Sequence, residues 1–192
     1  MAVRRVLSWL VALLLLAAVA AAAAVWVLSE RHLRSFPRPP PFAQAIPTDA
    51  AAIARGEHLL NTRGCKGCHG AQLEGQLFYG TPAPGLAALA RTASAAELEA
   101  AIRHGIGRDG KALYTMPAFS FVHLNDADLA DLIAYLRQAP LPPQPDLPEP
   151  SLAWRVRLDL ALGRDGAVPH WLPQVPTLKH QAGPDASLAR GE

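Results

Sequence analysis

The chain has 192 residues, a formal net charge of +2 and an apolar share of 51%. This length predicts one small domain with connecting segments, and the near balance of charge excludes the strongly basic surface that nucleic-acid binding requires. The 18 prolines are concentrated between the predicted elements, which indicates a small core joined to linkers.

The first predicted element is an apolar helix at the N-terminus. The 23 residues Val6–Leu28 contain no charged side chain, and as a helix they span about 34 Å, enough to cross a hydrocarbon core of about 30 Å. Trp9 and Trp26 lie near its ends, where interfacial aromatic residues are expected. Residues 1–30 are therefore predicted to be a transmembrane anchor. The alternative is a cleaved signal peptide, with Ala20–Ala24 as the small residues near its cleavage site.

Residues 31–47 follow as a proline-rich linker. The repeated prolines between Ser35 and Pro47 favour extended polyproline II structure, which acts as a semi-rigid spacer. We expect this linker to hold the next domain off the bilayer, without a specific partner of its own.

The motif Cys65-Lys66-Gly67-Cys68-His69 is the attachment signature of c-type haem. Each thiol adds across one haem vinyl group, so the cysteines must lie about one helical turn apart, and His69 then presents its imidazole to the iron. A structural disulfide, half of a zinc site and a thioredoxin-like redox motif are the alternatives. A zinc site needs four ligands and a thioredoxin-like motif needs a βαβ pattern, and the sequence offers neither. The motif therefore predicts one covalently bound haem c.

The haem motif lies in a predicted helical domain that covers residues 48–139. Thr48 or Asp49 can cap a first helix that runs from Ala50 to about Asn61. After the motif, the segment Gly70–Ala90 is rich in glycine and proline and is predicted to be a loop.

Two further helices are predicted in the second half of this domain. Ser94-Ala95-Ala96-Glu97 has the pattern of a capping box and opens a helix that stops near Gly105. Asn125 caps the last helix, which ends before Pro140. The apolar residues of that helix repeat at helical spacing: Leu129, Leu132, Ile133 and Leu136.

This arrangement resembles the class I cytochromes c over about Thr48 to Gln138. The matching features are the haem motif, a first helix with Gly56, a Met-Pro pair at Met116, and a last amphipathic helix with Tyr135. The resemblance implies an all-α fold, with three or four helices around one haem, after the N-terminal transmembrane helix. In this family the first and last helices cross at a glycine–aromatic contact, for which Gly56 and Tyr135 are the matching residues.

The resemblance also implies that His69 and Met116 are the two axial ligands of the haem iron. The family places its distal methionine in the loop before the last helix, and Met116 and Met1 are the only methionines of the chain. A thioether ligand raises the reduction potential relative to a second histidine. The alternative is that Met116 is a core residue and that His104 or His123 binds the iron.

A proline carbonyl is expected beside the proximal histidine. A metal-bound histidine normally donates its other ring N–H to a carbonyl or carboxylate, and this family supplies the carbonyl from a proline after the haem motif. Pro84 matches that position best, and Pro82 is its competitor. Gly85 departs from the asparagine that usually follows this proline in the family.

Residues 140–192 are predicted to be a linker and the start of a possible second, truncated domain. Leu141–Pro150 is rich in proline, and the alternating apolar residues after Trp154 fit either a strand or a short helix. Leu188–Glu192 repeats the pattern of Ile53–Glu57, so that a second haem motif at the matching offset would begin just past the end of the chain. We interpret the chain as the front portion of a cytochrome with at least two haems; a chance repeat of common residues is the alternative.

These features predict an electron carrier rather than an enzyme, because a haem with His and Met ligands has no open position for a substrate. The resemblance implies transfer of single electrons between periplasmic or membrane redox proteins: a dehydrogenase, an oxidase or another cytochrome. The layout resembles membrane-anchored multihaem cytochrome subunits that serve periplasmic dehydrogenases.

The resemblance also implies a location. In this family covalent haem attachment takes place on the outer face of the bacterial inner membrane, so a single-pass inner-membrane protein with a periplasmic haem domain is expected. The functional alternatives are a peroxidase-like haem enzyme and a haem-based gas or redox sensor, both with a displaceable distal ligand.

Overall fold

The structure is a computed structural model that describes residues 2–164 and 168–174 of the chain. It is mostly helical, as the sequence predicts, with one two-stranded antiparallel sheet. The elements are α1 (Ala2–Leu33), α2 (Ala50–Thr62), α3 (Cys65–His69), β1 (Gly75–Phe78), β2 (Thr81–Pro84), α4 (Leu86–Thr92), α5 (Ala95–His104), α6 (Asp126–Gln138), α7 (Trp154–Ala161) and α8 (Val168–Trp171), with 3₁₀ turns at Ala118–Ser120 and Leu172–Gln174. Within the described residues, α1 alone has the length and apolar composition of a membrane-spanning helix.

The first and last helices of the domain, α2 and α6, cross in direct contact at Gly56. A Cβ atom at Gly56 would overlap the backbone carbonyl of Asp131 and would lie 2.9 Å from the Cβ of Tyr135. Glycine is required here because any side chain would force the two backbones apart. An ion pair also joins the two helices, with Arg55 Nε 2.6 Å from Asp131 Oδ2. The contact between Gly56 and Tyr135 that the family resemblance implies is confirmed.

The domain core lies between α2, α4, α5 and α6. The four apolar residues that the sequence placed at helical spacing on the last helix are all buried, and each such side chain contributes about 1.5–3 kcal/mol relative to an exposed one. The whole cluster consists of Leu60, Leu73, Ala87, Ala90, Ala93, Leu98, Leu129, Leu132, Ile133, Leu136 and Ala139.

Side-chain caps begin three helices at the predicted positions. Asp49 accepts a hydrogen bond from a backbone N–H in the first turn of α2. Ser94 and Glu97 form the reciprocal capping box at the start of α5. Asn125 caps α6 in the same way as Asp49 caps α2. These caps satisfy N–H groups that have no partner within their own helices.

The segment between α3 and α5 contains more regular structure than the predicted loop. The strands β1 and β2 pair antiparallel, with Gly75 opposite Pro84. Tyr79 and Gly80 form the two-residue turn, and both have a positive φ, of 48° and 77°, as hairpin turns of the primed types require. The loop prediction was wrong because prolines argue against a central strand, whereas an edge strand of a two-stranded hairpin tolerates them.

The proline-rich segment after α1 lies along the domain. The carbonyl of Leu33, the last residue of α1, accepts a 2.8 Å hydrogen bond from the Ala112 N–H. Farther along, Phe42 and Ile46 pack against the core cluster. These apolar side chains fasten the segment to the domain, so that it is not a free linker. That the segment holds the domain off the bilayer stays a prediction.

Helix α7 packs against the C-terminal end of α1. Leu160 of α7, Leu33 of α1 and Ala112 of the haem domain form a small buried cluster, distinct from the main core. The stretch that begins at Trp154, which the sequence left open between strand and helix, is thus a helix. The repeat at residues 188–192 lies outside the described residues.

Candidate haem site

The haem motif forms a helix of its own, α3, bounded by two glycines. Gly64 precedes it with a φ of 74° and Gly70 follows it with a φ of 88°. Residues other than glycine rarely adopt these backbone conformations. The two cysteines are separated by three positions and therefore lie on one side of this single turn, with His69 at its end.

His69 is held with one ring nitrogen against a carbonyl. Its side chain is buried, and Nδ1 lies 2.8 Å from the carbonyl oxygen of Pro84. A carbonyl only accepts hydrogen bonds, so Nδ1 carries the proton, and in the neutral ring Nε2 then carries a lone pair. Burial lowers the pKa of His69, and the hydrogen bond to Pro84 partly opposes this. The imidazole is therefore neutral at neutral pH and has the tautomer of a metal ligand that binds through Nε2.

The hairpin brings Pro84, rather than its competitor Pro82, to the histidine. Pro84 is the last residue of β2 and pairs with Gly75, whereas Pro82 pairs with Leu77 toward the turn. The side chain of Gln76 donates a 2.8 Å hydrogen bond to the carbonyl of Gly67 and ties the hairpin to the haem motif. Gln76 was not predicted from the sequence, because no motif marks a glutamine that acts through tertiary contact.

The departure from the family pattern at Gly85 has a steric reason. A Cβ atom at Gly85 would lie 2.7 Å from the carbonyl oxygen of Glu74 and would overlap the side-chain amide of Gln144. The segment after α6 therefore occupies the space that an asparagine side chain would need. The glycine does not disturb the hydrogen bond between Pro84 and His69.

The two cysteines are free thiols in different surroundings. Cys65 packs against the core cluster, and burial raises the pKa of its thiol. This contact fixes α3 against the body of the domain. Both thiols and the imidazole lie within five consecutive residues and suit two thioether bonds and one nitrogen ligand, so the residues present fit a c-type haem.

Met116 lies in a different segment from Cys65, Cys68, His69 and Pro84. It occupies the bend before the 3₁₀ turn Ala118–Ser120, is half-buried, and its carbonyl accepts a 2.9 Å hydrogen bond from the Ala118 N–H. The structure thus brings together Cys65, Cys68, His69 and Pro84, while no hydrogen bond between described residues joins Met116 to α3.

The two rival histidines differ in their surroundings. His104 ends α5, and its Nε2 lies 2.8 Å from the carboxylate of Glu99, so this nitrogen is already engaged. His123 is half-buried in the turn that follows the 3₁₀ element. Because Met116 and His123 flank the same 3₁₀ turn, the distal ligand stays a prediction that must be tested with both residues.

The fold and the site together define a class of protein. Residues 53–140 match the family model described as Cytochrome c, a range that includes the haem motif, the hairpin and α6. This part of the chain is a cytochrome c domain, the class of haem-based electron carriers.

The chain is also similar to named cytochrome subunits. It is 30% identical over 168 residues to "Alcohol dehydrogenase (quinone), cytochrome c subunit" of Gluconacetobacter polyoxogenes and to the subunit of the same name of Komagataeibacter europaeus. Each of these two matches covers 78% of this chain. It is 28% identical over 157 residues to "Gluconate 2-dehydrogenase cytochrome c subunit" of Pantoea cypripedii, which covers 73% of this chain. The chain spans 35% of the length of each of these relatives. No solved structure matches it.

Proposed function

We propose that the chain carries one covalently bound haem c with His69 and Met116 as axial ligands, and that it transfers single electrons within a membrane-anchored cytochrome subunit. The hydrogen bond between His69 Nδ1 and the Pro84 carbonyl carries this proposal, because it leaves Nε2 as an electron-pair donor beside two free thiols. The named relatives are cytochrome subunits of dehydrogenases, which supports a dehydrogenase as the redox partner.

When bound, the haem iron supplies one-electron chemistry by exchange between its ferric and ferrous states. The chain itself supplies attachment and orientation. Cys65 anchors the attachment helix to the core, and Pro84 fixes the rotation of the His69 ring. Burial of the His69 side chain limits solvent access to this ligand, which helps to set the reduction potential.

The membrane anchor is α1 in this proposal, and the haem domain lies on the periplasmic side of the inner membrane. The apolar side chains of α1 are exposed along its length up to Leu28, which supports a lipid environment for them. The direct contacts of Leu33 with the domain place the haem domain immediately at the end of this helix.

Replacement of Met116 by leucine, with His123→Gln as the matched control, tests the distal ligand. We expect the ferric wild-type chain to be low-spin and to show the long-wavelength band of sulfur ligation. Met116→Leu should lose this band and become high-spin, because leucine offers no lone pair, while His123→Gln should keep the wild-type absorption spectrum.

The opposite pattern, in which only His123→Gln changes the spectrum, would show that His123 is the ligand. A wild-type chain that is already high-spin would overturn the proposal that His69 and Met116 both bind the iron. It would favour a peroxidase-like enzyme or a sensor, which need an open position. Pigment that remains covalently attached in every variant separates these outcomes from a failure of haem attachment.

A further inference from the structure

Helix α7 has one face packed in the protein and one apolar face that is exposed. Arg157 and Leu160 are buried against α1. Trp154, Leu158 and Leu162, spaced four residues apart, lie along another side and are 50%, 39% and 57% exposed. Exposed apolar side chains that are grouped rather than scattered mark an interaction surface.

The packed face of α7 meets α1 where its uncharged run ends. The Arg157 guanidinium carbon lies 3.6 Å from the centre of the Trp26 ring. Its Nη1 donates to Ser29 Oγ at 3.1 Å and to Glu30 Oε1 at 3.0 Å. Tryptophan marks the membrane–water boundary, and the first charged residue after the apolar run is Glu30. If α1 spans the bilayer as proposed above, these contacts fix α7 at the level of the lipid headgroups.

From this placement we propose that the apolar row Trp154, Leu158 and Leu162 lies in the interface of the bilayer that α1 spans, so that α7 is a second membrane contact. The proposal rests on the anchor role of α1 in the proposed function. An amphipathic helix in the plane of the interface buries its apolar face about 5–10 Å deep. The exposed Arg155 and Arg164, on or just after α7, suit contact with lipid phosphates.

Glu30 connects this second contact to the haem domain. Besides Arg157, its carboxylate holds Lys111 Nζ at 2.9 Å, and Lys111 belongs to the loop that pairs with the end of α1 at Leu33. The Glu30 carboxylate of α1 thus contacts both α7 and the haem domain. Two membrane contacts, rather than one flexible stalk, set the tilt of the haem domain over the bilayer.

Quenching of tryptophan fluorescence by brominated phospholipids tests the proposal on the full chain. The chain is placed in nanodiscs of a phosphatidylcholine and phosphatidylglycerol mixture, with or without bromine on the acyl chains. Two single-tryptophan variants are compared, one that keeps Trp9 within α1 and one that keeps Trp154, with phenylalanine at the other positions. We expect the emission of Trp154 to fall in the brominated bilayer, because an interfacial helix buries its apolar face at the boundary of headgroups and acyl chains.

The two variants separate the failure of this proposal from the failure of the anchor. Quenching of Trp9 without quenching of Trp154 overturns the interfacial placement of α7 and leaves the anchor intact, whether water or a protein partner covers the row. Loss of quenching for both overturns the anchor and the proposal that rests on it.

A charge in the middle of the apolar row provides a second measurement. Leu158→Glu should abolish the quenching of Trp154, because a carboxylate resists insertion, while Leu158→Met, which keeps an apolar side chain at the same position, should keep it. Leu158 is exposed in the protein, so its replacement leaves the packed face intact. Unchanged quenching in Leu158→Glu would contradict the proposal.

Discussion

The haem attachment region and the junction between α1 and α7 are held together over very different distances along the chain. His69 reaches its carbonyl partner only 15 residues away, and both thiols lie within the same turn of helix. At the junction, Arg157 binds Ser29 and Glu30 across 128 and 127 residues. The first region is specified by a local motif, whereas the second exists only once distant segments have met.

The largest effect on stability is expected at the crossing of α2 and α6, which supports the haem region. Gly56→Val should destabilise the domain by about 3 kcal/mol or more, because the new side chain would have to displace the backbone of α6. Urea unfolding of the full chain in detergent, followed by far-ultraviolet circular dichroism, measures this loss. Gly67→Ala is the control, since a Cβ atom there meets open space, and its stability should change by less than about 1 kcal/mol. Equal unfolding midpoints for the two variants would contradict the role of the crossing.

The junction should respond to mutation with a smaller and local change. Arg157→Met keeps much of the side-chain length but removes the charge that binds Ser29 and Glu30. We expect the free energy of docking of α7 to fall by about 1–3 kcal/mol. The loss stays local because Glu30 keeps its contact with Lys111.

Amide hydrogen exchange of α7 measures that loss in the full chain, since a released α7 loses the protection that the packed helix provides. Arg164→Met is the matched control, because Arg164 is exposed and lies 3.8 Å from Asp159, a type of pair that contributes little. If Arg157→Met instead lowers the urea midpoint of the haem domain as much as Gly56→Val, the two regions are not energetically separate.

The smallest expected effect is the acid sensitivity of the capping box. The backbone N–H and hydroxyl of Ser94, and then Arg108, hold the pKa of Glu97 below its ordinary value of 4.5. A lowered pKa in the folded state means that the stabilisation is complete above pH 4.5 and is lost as pH falls through the folded pKa. The stability difference between wild type and Glu97→Gln should therefore shrink in acid. As a control, the same substitution in a Ser94→Ala background, which lacks the hydroxyl donor, should already have a smaller effect at neutral pH. A difference for Glu97→Gln that stays constant in acid would contradict the capping role.

The parts of the fold that the sequence predicted are those set by local chemistry. The caps at Asp49, Ser94 and Asn125 follow from residue type and spacing, and the glycine at the helix crossing follows from the family resemblance. The histidine and its proline carbonyl were also assigned to each other from the resemblance, and the structure places them in hydrogen-bond contact.

The parts that the sequence did not predict depend on tertiary contact. The hairpin was hidden by its prolines, and Tyr79 has a positive φ that its residue type does not suggest. Phe42 and Ile46 looked like parts of a free linker, because nothing local shows that the core offers them a surface. The docking of α7 needed three segments to converge on Glu30, which no window of sequence contains.

The central claim is that this chain holds one haem through Cys65 and Cys68, with His69 at the iron. The most direct test is the intact mass of the purified, denatured full chain after expression with a bacterial haem-ligation system. We expect a mass equal to the polypeptide plus one haem and pigment that stays with the protein in acidic organic solvent. The double variant Cys65→Ala, Cys68→Ala should lose both. A wild-type chain that releases its pigment into the solvent, or that has the mass of the bare polypeptide, would contradict it.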